Sequence, residues 1–231
     1  MRTYLYLTRT CGKAQTSSPR GEAAGPDWLV VRAVVRDGRA VIREPFKRMG
    51  STESDAAMSW LSSVDLPLAD SLSLVDPQGG VNVEIEDDEA AEKVVSVIHE
   101  LIFRHNWNYT QFVVSSEHYA QLRHVRKLDH HIKVSLLVNG TSAYAADLAQ
   151  EIGAYAIHVE RSLVTPDLVK HSHNMGLMVF VYPVDDTAHM ESLARMGVDG
   201  IFSSHPDRVA RWTRGHAPVC PAPETIAVTS A

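Results

Sequence analysis

Residues 154–203 read AYAIHVERSLVTPDLVKHSHNMGLMVFVYPVDDTAHMESLARMGVDGIFS. Three short runs rich in β-branched and aromatic residues, 154–159, 177–182 and 199–203, alternate here with two stretches of helical character. Thr165-Pro166-Asp167 starts the first helix, with Thr as N-cap and Pro at the first helical position, where its missing N–H does no harm. Met190, Leu193 and Ala194 form an apolar stripe on the second, which Gly197 ends. Working outward, further strands are expected at 132–138, 110–115, 80–86, 28–35 and 3–8. Val94, Val95, Ile98, Leu101 and Ile102 mark one face of a helix after 80–86, and Ala145, Leu148, Ala149 and Ile152 mark another after 132–138. Eight strands with helical crossovers imply parallel pairing, and in a chain of 231 residues they predict a (β/α)₈ barrel. The alternative is an open doubly wound sheet. No GxGxxG follows the first strand and the cycle continues to the C-terminal region, so the barrel is preferred.

The cycle is irregular near its start. Residues 10–26 are rich in Gly, Ser and Pro with no helical apolar period, so the first crossover helix is expected to be short or missing. Arg36-Asp37-Gly38-Arg39 reads as a hairpin turn between WLVVRAVV and AVI, and 53–62 as a helix. Residues 1–214 read as one barrel and 215–231, proline-bearing and aperiodic, as a tail.

Composition narrows the function classes. With 45% hydrophobic and 22% charged residues the chain can bury a full core. A formal charge of −6 offers nothing to attract nucleic acid or an anionic membrane. Cys11 and Cys220 fit no metal-finger spacing and read as free thiols of a reducing compartment. No run approaches eighteen apolar residues and the N-terminus has no signal-like core, so the expected location is the cytoplasm, with no transmembrane segment. Oligomeric state stays open.

One stretch carries unusual charge. In GGVNVEIEDD, residues 79–88, Val81, Val83 and Ile85 alternate with Asn82, Glu84 and Glu86, so a strand aims two carboxylates at one face. VNVEIE resembles the strand of the glycerophosphodiester phosphodiesterase family whose Glu binds metal. FVVSSEHYAQLRHVRKLDHHIKVSLLV resembles that family's strand ending in Ser-Ser with the helix and strand that follow, and LVTPDLVKHSHNMGLMVFVYPVDDTAHMESLARMGVDGIFSSHPDRV its last two βα units. The resemblance runs from about Leu66 to Val209 and is weaker upstream. It implies a barrel of the phospholipase-C-like phosphodiesterase type that hydrolyses glycerophosphodiesters to glycerol 3-phosphate and an alcohol. It also implies a Mg²⁺ or Ca²⁺ ion held by a Glu-x-Asp pair on the second strand and by the Glu of VNVEIE, with two histidines as acid and base beside a phosphate-binding Arg. A cation and an arginine offset the charge of the diester, and proton transfer needs groups titrating near neutrality.

Several of these groups are replaced. Where the family has His-Arg-Gly, this chain has Thr8-Arg9-Thr10. Counting back from Asp37-Gly38, the acid pair falls on Leu29 and Val31, or with a one-residue slip on Val30 and Arg32; neither register supplies a carboxylate. Arg43-Glu44-Pro45 stands at the expected His-Asp pair, and Glu86 replaces a lysine. A lone buried Glu84 must either take up a proton or pair with a cation. The expectation is an arginine in place of the metal, drawn from Arg9, Arg32 and Arg43, with metal-dependent hydrolysis lost. On this reading no cofactor is expected, and a divalent cation only if the chain is active.

The remaining candidates line strand ends, where barrels place their sites. Ser116, Tyr182 and His205, with Arg9, Arg43 and Glu86, would line a pocket for a small phosphorylated or polar molecule, unless the chain serves instead as a structural or regulatory partner. The alternative is an active hydrolase with a rearranged site, in which Glu84, Glu86 and the in-strand His158 act as substitutes, Glu84 and His158 as the catalytic pair. Of the twelve histidines none shows HExxH or Cys/His ligand spacing, so His130, His131, His171 and His173 read as solvated.

Overall fold

The computed structural model describes residues 4–7, 28–42, 66–73, 80–87, 89–140 and 144–215. The 53–62 helix, the 10–26 segment, the residues beyond 215, Arg9, Arg43, Cys11 and Cys220 lie outside these.

Among the described residues, ten strands form one sheet. They are β1 (Tyr4–Leu7), β2 (Trp28–Arg36), β3 (Arg39–Ile42), β4 (Leu66–Pro67), β5 (Gly80–Ile85), β6 (Phe112–Ser116), β7 (Lys133–Val138), β8 (Ala156–Glu160), β9 (Met178–Tyr182) and β10 (Gly200–Ser203). Seven α-helices accompany them among the described residues: α1 (Leu68–Ser73), α2 (Ala90–Arg104), α3 (Tyr119–Leu128), α4 (Ala145–Glu151), α5 (Pro166–Asn174), α6 (Thr187–Met196) and α7 (Pro206–Gly215). From β2 the sheet runs through β5, β6, β7, β8 and β9 to β10, each pair parallel, and β1 closes the ring by pairing with both β10 and β2. The (β/α)₈ expectation therefore holds for the crossovers after β5.

β1 departs from it. Its pairing with β10 and β2 is antiparallel, with Tyr4 beside Ser203 and Leu7 beside Gly200. A four-residue strand can satisfy its main-chain groups in either sense. Its Leu7 end therefore meets the starts of the parallel strands, whereas Glu84 stands near their ends.

The hairpin at 36–39 forms as read. Asp37 and Gly38 both have positive φ, 49° and 72°, as a two-residue turn between right-twisted strands requires. β2 shares one edge between two partners, giving residues 28–29 to β1 and 33–36 to β3. Local signals also hold at the helix ends: the Thr165 hydroxyl accepts from the Leu168 N–H, the Asp186 carboxylate from the His189 N–H, and Gly197 ends α6 at φ 85°.

Alternation along the strands divides two cores. Val81, Val83 and Ile85 face outward against Val94, Ile98 and Leu101 of α2. Inside the ring, Ala156, Phe180 and Phe202 are buried with Val30, Tyr155, Met178 and Tyr182 packed on them. Phe180 and Phe202 meet edge-to-face with centroids 6.3 Å apart, and His158 lies 4.8 Å from Phe202 and 5.5 Å from Phe180. These rings fill the barrel axis, so truncating one leaves a cavity that the surrounding strands cannot collapse into. Phe180→Ala is expected to cost about 3–4 kcal/mol, and Phe103→Ala, on an 84% exposed side chain, less than about 0.5 kcal/mol; urea unfolding of the two variants measures the difference.

Candidate functional site

Asn82 and Glu84 point into the barrel from β5, opposite in parity to the outward valines. The parallel register sets Val30 beside Asn82 and Arg32 beside Glu84. Val30 and Arg32 therefore share the inward parity of Asn82 and Glu84, while Leu29 and Val31 pack with the outer core. Arg32 Nε stands 3.3 Å from Glu84 Oε1, the carboxylate side chain 16% exposed and the guanidinium 51% exposed. Burial raises the Glu84 carboxyl above its usual value and the Arg32 charge opposes this, while Glu86 and Glu117 push it further up. Both outcomes expected of an isolated buried Glu therefore occur together: an arginine partner and a raised pKa.

Around this pair the strand ends supply further polar groups. Tyr182 donates from its hydroxyl to the Val138 carbonyl at 3.2 Å and also contacts Asn139 Oδ1. Its pKa is pushed up to about 12 by burial and by the charges of Glu160, Glu84 and Glu117, so it stays a donor. Asn139 Nδ2 donates to Glu117 Oε2 at 2.6 Å, and Glu160 Oε1 accepts from the Ser162 hydroxyl at 2.9 Å. Three carboxylates, from β5, the turn after β6 and the end of β8, thus act electrostatically on one phenol. Glu117 and Glu160 were findable as polar residues ending strands; their convergence on Tyr182 depends on strand order and was not.

The other sequence candidates lie as follows. The buried Ser116 hydroxyl donates to Gln121 Oε1 at 2.7 Å and accepts from the His118 N–H at 3.1 Å, so it serves the start of α3. Glu86 accepts on its main-chain carbonyl from Gln121 Nε2 at 3.3 Å. The main-chain carbonyl of His205 accepts from Arg208 and Val209 at the start of α7, and its N–H donates to Ser203 Oγ at 3.2 Å. Asp185 Oδ1 binds the Ser203 hydroxyl and the Ser204 N–H, which holds the end of β10 in place.

His158 takes a different position from the one a general base needs. It is 1% exposed, neither ring nitrogen has a hydrogen-bond partner among the described residues, and burial pushes its pKa down to about 3. An enclosed ring held neutral cannot exchange protons with a substrate near pH 7. Asn82 Oδ1 and Ser135 Oγ are likewise buried without partners among the described residues, although Asn82 Nδ2 donates to Ser115 Oγ at 2.9 Å.

The fold is a mostly parallel α/β barrel with its polar mouth at the ends of the parallel strands. Residues 37–208 match the Glycerophosphoryl diester phosphodiesterase family, and the chain belongs to that family. A glycerophosphodiester phosphodiesterase from Caldanaerobacter subterraneus subsp. tengcongensis is 28% identical over 139 residues, 58% of this chain and 55% of the relative. The chain thus spans about half the length of that curated relative. Among solved structures, an Oleispira antarctica phosphodiesterase in complex with the product sn-glycerol-3-phosphate aligns with a TM-score of 0.65 at 17% identity, covering 80% of this chain and 84% of that one. A glycerophosphodiester phosphodiesterase from Parabacteroides distasonis aligns at 0.61 and 17% identity, covering 83% and 86%. No helix among the described residues is long and apolar enough to cross a membrane.

Two titrations of opposite sign follow from the burial. Glu84 binds its proton more tightly in the folded chain, so its contribution to stability falls as pH rises from the usual carboxylate value through the raised one. His158 binds its proton less tightly when folded, so its contribution is complete above about pH 6.5 and is lost as pH falls toward 3. Relative to wild type, Glu84→Gln should become more favourable with rising pH and His158→Phe more favourable with falling pH; urea unfolding from pH 4 to 8 measures both slopes.

Proposed function

We propose that this family member has replaced the mouth's divalent cation with Arg32 and has lost metal-dependent hydrolysis, keeping a pocket for a small phosphorylated or polar molecule. The observation that carries the reading is the Arg32–Glu84 contact of 3.3 Å, at the strand pair where the resemblance expects carboxylates around a metal. A hard cation wants about six oxygen ligands. Val30 and Arg32 offer none from their side chains, and Glu84 already faces a guanidinium whose charge repels a second cation. Among the described residues this donor set does not fit Mg²⁺ or Ca²⁺, so no hydrolytic step is routed through one.

The same guanidinium suits an anion. Glu84 engages its Nε, and half the side chain is exposed, so the terminal amines can take phosphate oxygens in bidentate fashion. The neighbouring Glu117, Glu160 and Asn139 suit hydroxyl groups and disfavour a second negative charge. The ligand class this combination fits is a polyol monophosphate, the chemistry of the sn-glycerol-3-phosphate bound by the Oleispira relative. Arg43, which follows the end of β3 that pairs with Ala33, is proposed as a further anion donor, and a cytoplasmic location is proposed with it; Arg9 follows the Leu7 end of β1, at the strand starts away from Glu84, and is not proposed for this mouth.

A second reading rests on the acids. Glu86 and Glu117 bear electrostatically on Glu84, and Glu160, Glu84 and Glu117 bear on Tyr182. Such a cluster favours an active hydrolase with a rearranged cation site.

Turnover of glycerophosphocholine and bis(4-nitrophenyl) phosphate, with and without Mg²⁺, Ca²⁺ or Mn²⁺, separates the two. No metal-dependent turnover is expected, and glycerol 3-phosphate binding by calorimetry should weaken about tenfold or more in Arg32→Ala, as loss of a charge-assisted contact implies. Metal-dependent turnover abolished by Glu84→Ala would establish the second reading instead.

A further inference from the structure

At the opposite end of the barrel from Glu84, where α3 passes into β7, the chain reads Asp129-His130-His131. Sequence spacing alone marks these as solvated residues, but the fold adds partners from distant segments. Asp129 Oδ2 lies 2.8 Å from His99 Nε2 of α2 and accepts from the Tyr109 hydroxyl at 2.8 Å. Its other oxygen accepts from the His131 N–H at 2.8 Å and lies 3.0 Å from His131 Nδ1. The His130 and His131 rings stack with centroids 3.9 Å apart. Asp129, His130 and His131 can each offer one ligand atom, all within 4.8 Å of one another.

The geometry points to a site for a borderline divalent cation of the zinc, nickel or copper class, with the Asp129 carboxylate and the His130 and His131 imidazoles as ligands. Two ligand atoms about 2.0–2.1 Å from a tetrahedral ion stand about 3.3 Å apart, close to the present 3.0 Å between His131 Nδ1 and Asp129 Oδ1. Binding therefore exchanges the proton now between those atoms for the ion, with little movement. His130 is exposed and can turn to close the set.

Asp129 is prepared for the role. His99 Nε2 and the Tyr109 hydroxyl on one oxygen, and the His131 N–H on the other, fix the orientation of the carboxylate. Its side chain is only 9% exposed, so it is positioned before any ion arrives. His99 and Tyr109, on the second oxygen, orient the carboxylate from outside the ligand set, as outer partners of metal sites do. Two imidazoles with one carboxylate favour nitrogen-seeking ions over Mg²⁺ and Ca²⁺. Arg126 is the nearby opposing charge, and its guanidinium donates to the His130 carbonyl. The ion would tie the end of α3 to the start of β7. This site shares no residue with the mouth, so it stands or falls independently of the reading proposed there.

The test is titration of Zn²⁺ into the untagged, chelator-treated full chain, followed by calorimetry and thermal unfolding, with Co²⁺ as a spectroscopic probe of coordination. We expect one saturable site, a raised unfolding temperature, and an affinity reduced about tenfold or more in both His130→Ala and His131→Ala. Both variants remove exposed rings, and circular dichroism checks that each folds as wild type does. His171→Ala, beside Asp147 at 3.6 Å on another surface, should bind as wild type does. Equal affinity in wild type, His130→Ala and His131→Ala, or no saturable binding of Zn²⁺, overturns the proposal.

Discussion

Arg32 and Glu84 are register partners on adjacent parallel strands, held side by side by the main-chain ladder of β2 and β5. A carboxylate with 16% exposure is costly to ionise inside a barrel unless a positive charge stands within a few ångströms. Here the charge comes from the protein itself. A guanidinium is permanent, whereas a bound ion must be captured from solution and brings its own water and Lewis acidity. Electrostatic need at Glu84 is therefore partly met without the agent that would polarise a phosphate ester, and the residual rise in its pKa reflects burial and the neighbouring acids.

The remainder of the mouth is consistent with binding more than with proton transfer. Tyr182 is kept as a donor and the hydroxyls of Ser116 and Ser203 are engaged in holding local structure. His158 sits among phenylalanines as a neutral packing element of the barrel axis. An imidazole in that position adds acid sensitivity to the fold in place of reactivity.

Much of this was legible in the sequence because it rests on local periodicity. The strands read at 28–35, 132–138 and 177–182, each within one residue of the observed limits, the Thr165 cap and the Gly197 stop depend on near neighbours. Glu84 could be singled out by alternation alone. The sense of β1 could not, since four residues carry no direction signal. Nor could the inward parity of Val30 and Arg32 on β2, which follows from pairing with β5. The Asp129 cluster escaped for the same reason: His99 and Tyr109 stand 30 and 20 residues away in sequence and reach the carboxylate only through the packing of α2 and the turn before β6.

The most direct measurement is Ca²⁺ and Mg²⁺ affinity by calorimetry for wild type and Arg32→Asp. If the arginine stands in for the ion, wild type shows no saturable binding at the mouth, and the charge reversal, which returns a carboxylate beside Glu84, raises affinity about tenfold or more. Tight binding by wild type that Arg32→Asp leaves unchanged or weakens would contradict the account.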